Sequence, residues 1–234
     1  MKHLLISLAL ISGPAVAYDA LVWGGPGACV DGCVEAAVHV TKLAGFDPMI
    51  VTPTNFDPSL LESAKIWVQP GGKSVGASTA MGPATREAIK KFVAEGGGYV
   101  GFCAGGFLTT PKVGSTTNPG LGIVDGYSTP YKGSRRSVSL QRLITPQGTK
   151  YHYWEGGPYF AFTETQAKKV DVTSRYYRTN QINGFKTVFG TGKIAVTGTH
   201  PEAPLWWYED GNIRDRDGLD NEEAASMIKW AAKK

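Results

Sequence analysis

The sequence predicts an α/β domain built on a parallel sheet with helices packed against both faces. Three observations predict it. Strand-like apolar runs alternate with amphipathic stretches of helical period, glycine or proline closes most of these segments, and 30 glycines are spread through the 234 residues. With 42% hydrophobic and 19% charged residues the chain has the make-up of one globular domain. That make-up excludes a coiled coil, a collagen-like chain, a disordered tail and a disulfide-dense mini-protein. A formal net charge of +4, thinly spread, argues for neither a nucleic-acid partner nor a membrane surface.

The first residues set the compartment. A basic start, Met1-Lys2-His3, precedes an apolar run over 4–16, and Ala15-Val16-Ala17 has the small-x-small pattern of a signal-peptidase site. Residues 1–17 are therefore expected to be a cleaved secretory signal, with residues 18–234 as the domain and a periplasmic or secreted destination. The run is too short to span a bilayer, and no later one approaches the ~20 residues needed, so no stable membrane insertion is expected.

Residues 19–25 (DALVWGG) form a buried strand ending in glycine, followed by a helix with Val30, Val34, Ala37, Val38 and Thr41 on one face and Gly45 as its stop. Strands at 48–52 and 64–69 follow, the second halted by Pro70-Gly71-Gly72. Pro83 opens a helix burying Ala88, Ile89, Phe92 and Val93, and Gly96-Gly97-Gly98 ends it. The strand 99–102 runs straight into Cys103. From about 111 to 190 glycine, serine, threonine and aromatics dominate, with strand-like stretches at 137–143, 150–154 and 170–177; this reads as a β-rich elaboration beside the sheet. Runs at 186–189 and 194–197 flank Gly190-Thr191-Gly192-Lys193, a hairpin signal. A last helix, capped by Asp220 with Glu223 three residues on, buries Ala224, Met227, Ile228 and Ala231.

Several motifs fail their spacing. From Gly25 a dinucleotide-binding G-x-G-x-x-G would need glycine where Val30 stands, and a phosphate loop ending at Gly72-Lys73-Ser74 would need glycine at Trp67. Asp215, Asp217 and Asp220 lack the glycine and final glutamate of a calcium loop. No His/Cys group has zinc spacing. Neither metal nor cofactor is expected. Cys29 and Cys33, four apart at a helix start, are near enough for a disulfide, and two buried thiols fit equally well.

Gly101-Phe102-Cys103-Ala104-Gly105 holds where the others fail. A G-x-C-x-G at a strand-to-helix junction is the sulfur form of the nucleophile elbow, a turn too tight for side chains two residues either side of the nucleophile. Backbone N–H groups after the turn favour thiolate at Cys103. Among the histidines, His39 lies four after Glu35 on a polar helix face, and His152 lies between two tyrosines. His200 directly follows a strand, and Pro201 holds it extended, so that Glu202 points the same way. Cys103, His200 and Glu202 then supply nucleophile, base and orienting acid.

The elbow with His200-Pro201-Glu202 resembles the class I glutamine amidotransferase-like superfamily. The closer likeness is to the amidotransferase-like domain at the N-terminus of biotin protein ligases. The stretches that carry it are 68–72 (VQPGG), 97–107 (GGYVGFCAGGF), 153–160 (YWEGGPYF) and 192–202 (GKIAVTGTHPE). The resemblance implies a flavodoxin-like three-layer α/β/α sandwich, mostly parallel, with Cys103 at the end of a central strand. It also implies oxyanion donors from Gly72 and from the Ala104 N–H. Gly71, Tyr153, Trp154, Glu155 and Gly156 are the candidate pocket residues, an aromatic strand packed on the sheet being the other reading of 153–154. Glutaminase members usually carry Gln four residues after the nucleophile, where this chain has Phe107. The expected activity is therefore that of a cysteine hydrolase or amidase on a small-molecule or peptide amide other than glutamine. The alternative is a binding or sensor module that keeps the pocket without turnover.

Overall fold

The computed structural model describes residues 18–29 and 32–233. The expected signal segment, and Val30 of the expected first helix face, lie outside the described residues. Four strands laid down early in the chain, β1 (Ala20–Trp23), β2 (Pro48–Val51), β3 (Ile66–Gln69) and β4 (Gly98–Phe102), pair in parallel in the order β2-β1-β3-β4. Their connections include α1 (Cys33–Leu43), the single turn α2 (Leu60–Ser63) and α3 (Ser74–Ala94). After the elbow and the one-turn α4 (Ala104–Phe107) come β5 (Gly126–Pro130), β6 (Val138–Thr145), β7 (Gly148–Glu155), β8 (Pro158–Phe162), the turn α5 (Glu164–Ala167), β9 (Asp171–Tyr176) and β10 (Ile182–Phe189). The chain then re-enters the parallel half as β11 (Gly192–Thr197), beside β4, and finishes with α6 (Leu205–Asp210) and α7 (Asn221–Ala231).

The β-rich insert does not lie beside the sheet as its composition suggested. Through β11 it continues the same sheet, which runs β2-β1-β3-β4-β11-β10-β9-β6-β7 with antiparallel pairing from β11 outward, while β8 joins β10 to β5. The hairpin expected around residue 190 links β10 to β11. An antiparallel partner offers each new strand a short connection, so the sheet can grow without further helices.

Period-two alternation divides the parallel strands between two cores. Leu21, Trp23, Trp67 and Tyr99 face α3, where Ile89, Phe92 and Val93 meet them. Ala20, Val22, Ile66, Val68, Val100 and Phe102 face α1 and α7. Burying both faces is what makes these short strands read as continuous apolar runs. The buried stripe of α1 is Cys33, Ala36, Ala37, Val40 and Thr41, so Val34 and Val38 sit at its margin. α7 buries Ala224, Ala225, Ile228 and Ala231, with Met227 packed from the rim.

Two helix ends depart from expectation. α3 starts at Ser74, well before Pro83; Gly82, at φ 64 and ψ 172, breaks it into two segments, and Pro83 opens the second. Proline suits a first helical turn because its missing N–H would have no partner there, which is why the sequence marks only the later start. At α7, Asp220 occupies the N-cap position but makes no side-chain cap hydrogen bond. Its carboxylate is engaged elsewhere, as described below.

Candidate active site

The elbow forms at the C-terminal end of β4, the usual place for ligands in open parallel sheets. Cys103 has φ 47 and ψ −100, a conformation that L-residues avoid and that functional turns retain at a cost of roughly 1–3 kcal/mol. The neighbouring glycines are needed. A Cβ on Gly101 would lie 2.6 Å from the backbone of Gly105, and one on Gly105 would run into the Gln69 carbonyl. The Cys103 N–H donates to Thr197 O at 3.0 Å, which fastens the elbow to β11. Its thiol is buried and lies 3.4 Å from Glu155 O as a hydrogen-bond donor. α4 is a single turn, too short to bring a long helix dipole to the elbow.

His200 comes two residues beyond Gly198, past the end of β11. Its N–H donates to Tyr153 O at 2.9 Å in an isolated β-bridge, tying β7 of the insert to the parallel half. Its Nδ1 meets Glu202 Oε1 at 2.8 Å, and both side chains are buried. The segment is not extended as expected: residues 200–203 close a turn, with the Ala203 N–H donating to His200 O at 3.1 Å, and the turn brings the two side chains together. Burial alone would lower the His200 pKa, but the sulfur of Cys103 and the carboxylate of Glu202 outweigh it and hold the ring well above its ordinary value. With Nδ1–H directed to Glu202, Nε2 is the nitrogen left to exchange a proton with Cys103.

Cys103 and His200 line one cavity of about 570 Å³, together with Gly72, Lys73, Phe107, Tyr153, Glu155, Gly156 and the Trp206–Trp207 pair of α6. Tyr153 faces this cavity; burial, with Glu155 and Asp210 nearby, pushes its pKa up to about 12, so it stays a neutral phenol. Trp154 points to the opposite side. It packs edge-on against Tyr131 and donates Nε1–H to Gly157 O at 3.3 Å; alternate residues of a strand face opposite ways. Gly71 backs the imidazole, since a Cβ there would sit 2.5 Å from His200 Cε1.

The loop carrying the expected oxyanion donor is held by the segment before α1. Cys29 N–H donates to Gly71 O and Lys73 N–H to Gly27 O, which brackets Gly72 at φ 130. Among the described residues, neither the Gly72 N–H nor the Ala104 N–H has a protein acceptor. Cys29 and Cys33 form a disulfide with Cα atoms 5.4 Å apart, settling the alternatives in favour of the bridge, and both line the cavity. Cys103 is the free cysteine. His39 is exposed on α1.

Sequence reasoning missed a second histidine cluster. His152, fully buried on β7, has Nε2 3.4 Å from Glu223 Oε2 and 3.8 Å from Asp220 Oδ1, while Lys150 Nζ lies 3.5 Å from the same Asp220 oxygen. Burial pushes Asp220 up to about 6 against the pull of His152. The cap-forming pattern of Asp220 and Glu223 concealed it, because the third member comes from a strand some seventy residues earlier.

Residues 19–125 match the family described as biotin-protein ligase, N terminal. A biotin–protein ligase of Schizosaccharomyces pombe is 25% identical over 167 residues, covering 60% of this chain and 26% of the ligase, so the chain spans about a quarter of that relative. Among solved structures, a glutamine amidotransferase superposes with a TM-score of 0.62 at 21% identity, over 79% of this chain and 90% of that one. PurLQS from Thermotoga maritima superposes with a TM-score of 0.62 at 16% identity, over 90% of this chain and 96% of that one. Over residues 19–125 the chain thus resembles the N-terminal region of biotin-protein ligases, and its fold is glutamine amidotransferase-like.

Proposed function

We propose that this protein is an exported cysteine hydrolase or amidase in which Cys103 is the nucleophile, His200 the proton carrier and Glu202 its orienting acid. The observation that carries the reading is the buried His200–Glu202 contact of 2.8 Å beside a cysteine held at positive φ, in a shared cavity. The elevated His200 pKa suits a ring that holds a proton for the leaving group. In the proposed cycle the Cys103 sulfur attacks the acyl carbon of an amide. The N–H groups of Gly72 and Ala104 receive the oxyanion, and His200 gives its proton to the departing amine. Water then attacks the acyl-cysteine while His200 takes a proton from it, and the products are a carboxylic acid and the free thiolate.

Phe107 lies in the cavity wall at the position where glutaminases carry Gln, so an acyl group with an apolar portion suits this pocket better than glutamine does. The Cys29–Cys33 bridge supports export, since disulfides persist in oxidising compartments, and it agrees with the signal-like residues 1–17. The test is mass spectrometry of the protein without residues 1–17 after exposure to a panel of acyl-amide and thioester probes. An acyl adduct on Cys103 that decays with release of acid is expected. Saturable ligand binding with no adduct, undiminished in Cys103→Ala, would instead establish the non-catalytic binding module that Phe107 also accommodates.

A further inference from the structure

The His152 cluster has features that an ordinary buried ion pair lacks. His152 Nε2 and both carboxylate oxygens of Asp220 are buried and make no hydrogen bond among the described residues, although such groups normally find partners. Asp220 stands at the N-cap of α7, where its carboxylate could accept a helix N–H, yet it turns instead toward His152 and Lys150. One donor atom each from His152, Asp220 and Glu223 lies within 4.8 Å of the others. Ligands at about 2.0–2.2 Å around a tetrahedral ion stand roughly 3.3–3.6 Å apart, and the His152–Glu223 and His152–Asp220 separations are 3.4 and 3.8 Å.

We infer that His152, Asp220 and Glu223 form a structural site for one divalent transition-metal ion of the zinc type, separate from the cysteine site. The donor set, one imidazole and two carboxylates, suits such an ion. The ring is also held as a ligand ring should be. His152 Nδ1 is 2.9 Å from Thr199 Oγ1, which is itself 2.8 Å from Thr197 Oγ1 and 3.2 Å from Asn183 Nδ2. A partner on the far ring nitrogen fixes the tautomer and leaves Nε2 for the ion. Entry is available through a cavity of about 320 Å³ that Glu223 and Lys150 both line. On binding, the Nε2 lone pair of the Nδ1–H tautomer goes to the ion, and the Lys150 ammonium withdraws from Asp220 toward water; that side chain is 43% exposed. The ion would clamp the start of α7 to β7 directly behind Thr199, whose chain neighbour is His200.

The test uses the protein in a Cys103→Ala background, which removes the sulfur of the cysteine site, after stripping with a chelator. Zinc is titrated calorimetrically, and retained metal is measured by mass spectrometry after gel filtration. One equivalent of zinc is expected. Glu223→Gln should weaken it by at least about 10–100-fold, the loss typical even of an outer-shell partner, and His152→Asn should abolish it. Lys150→Met should tighten it, because the competing ammonium is gone. Since Glu223 is partly exposed, its variant remains informative should His152→Asn fail to fold. No retained zinc, or zinc bound equally by Glu223→Gln, overturns the inference.

Discussion

Two buried histidines sit almost back to back in this molecule, and they are solved differently. His200 has its acid two residues away, held by a proline, in hydrogen-bond contact at 2.8 Å. His152 has two carboxylates from α7 at 3.4 and 3.8 Å and hydrogen-bonds neither. The Tyr153–His200 bridge joins the segments that carry them. A satisfied ring with one free nitrogen beside a thiol is arranged to move a proton. A ring bonded only through Nδ1, its buried Nε2 unpaired beside the unbonded Asp220 carboxylate, is arranged to receive something else. A cluster's chemistry thus follows from which of its atoms remain unpaired, more than from which residue types it contains.

Variants that damage one cluster while sparing the other test this contrast most directly. The largest effect is expected from Cys103→Ala, which should lower turnover of a reactive acyl probe by about 10⁴-fold or more and eliminate labelling by iodoacetamide at that position. Glu202→Gln comes next, at about 10²–10⁴-fold in turnover, with zinc binding unchanged. Because Glu202 helps to raise the His200 pKa, its neutral replacement should also move the alkaline limb of the pH–rate profile to lower pH. Equal losses of turnover in Glu202→Gln and Glu223→Gln would erase the distinction between the clusters.

Smaller effects concern stability. Opening the Cys29–Cys33 bridge by the double serine variant should cost about 2 kcal/mol, the loop-closure value for so short a loop, read from urea midpoints with and without reductant. The same variant should reduce probe acylation, because Cys29 N–H supports Gly71 in the loop that carries the Gly72 donor. Finally, His200 has a folded pKa above its ordinary 6.5. Its contribution to stability is present in full below about pH 6.5 and is lost as pH rises through the elevated folded value. The wild-type urea midpoint should therefore fall on the alkaline side relative to His200→Gln, and parallel pH profiles for the two proteins would refute this.

Legibility in the sequence divides along the same line. The elbow and the His200–Glu202 pair were readable because their geometry is local: glycines two residues either side of Cys103, and a base and acid two residues apart, brought together by a tight turn at Pro201 rather than by the expected extended run. The alternating strands and their two-sided burial were readable from short-range periodicity. Trp154 was misplaced because only strand register decides which of two adjacent aromatics faces the cavity. The first half of α3 was hidden by Gly82 and Pro83, which look like an ending and a beginning. The His152 cluster was invisible because its members reach one another only after β7 and α7 dock, and Asp220 has a cheaper local explanation as a cap. Likewise, β5 and β8 exist mainly through pairing with each other and with β10, for which no local signal is required.

The pairing of β4 with β11 also has a consequence for the order of folding. Cys103 and Thr197, hydrogen-bonded in the finished protein, are separated by nearly a hundred residues, so the pocket that shelters the thiol closes late. Cys29 and Cys33, only four residues apart, meet at much lower loop-closure entropy. Under the proposed export to an oxidising compartment the short-range bridge would have a head start, consuming both partners that could otherwise trap Cys103 in a wrong disulfide. Close spacing of one cysteine pair protects the third.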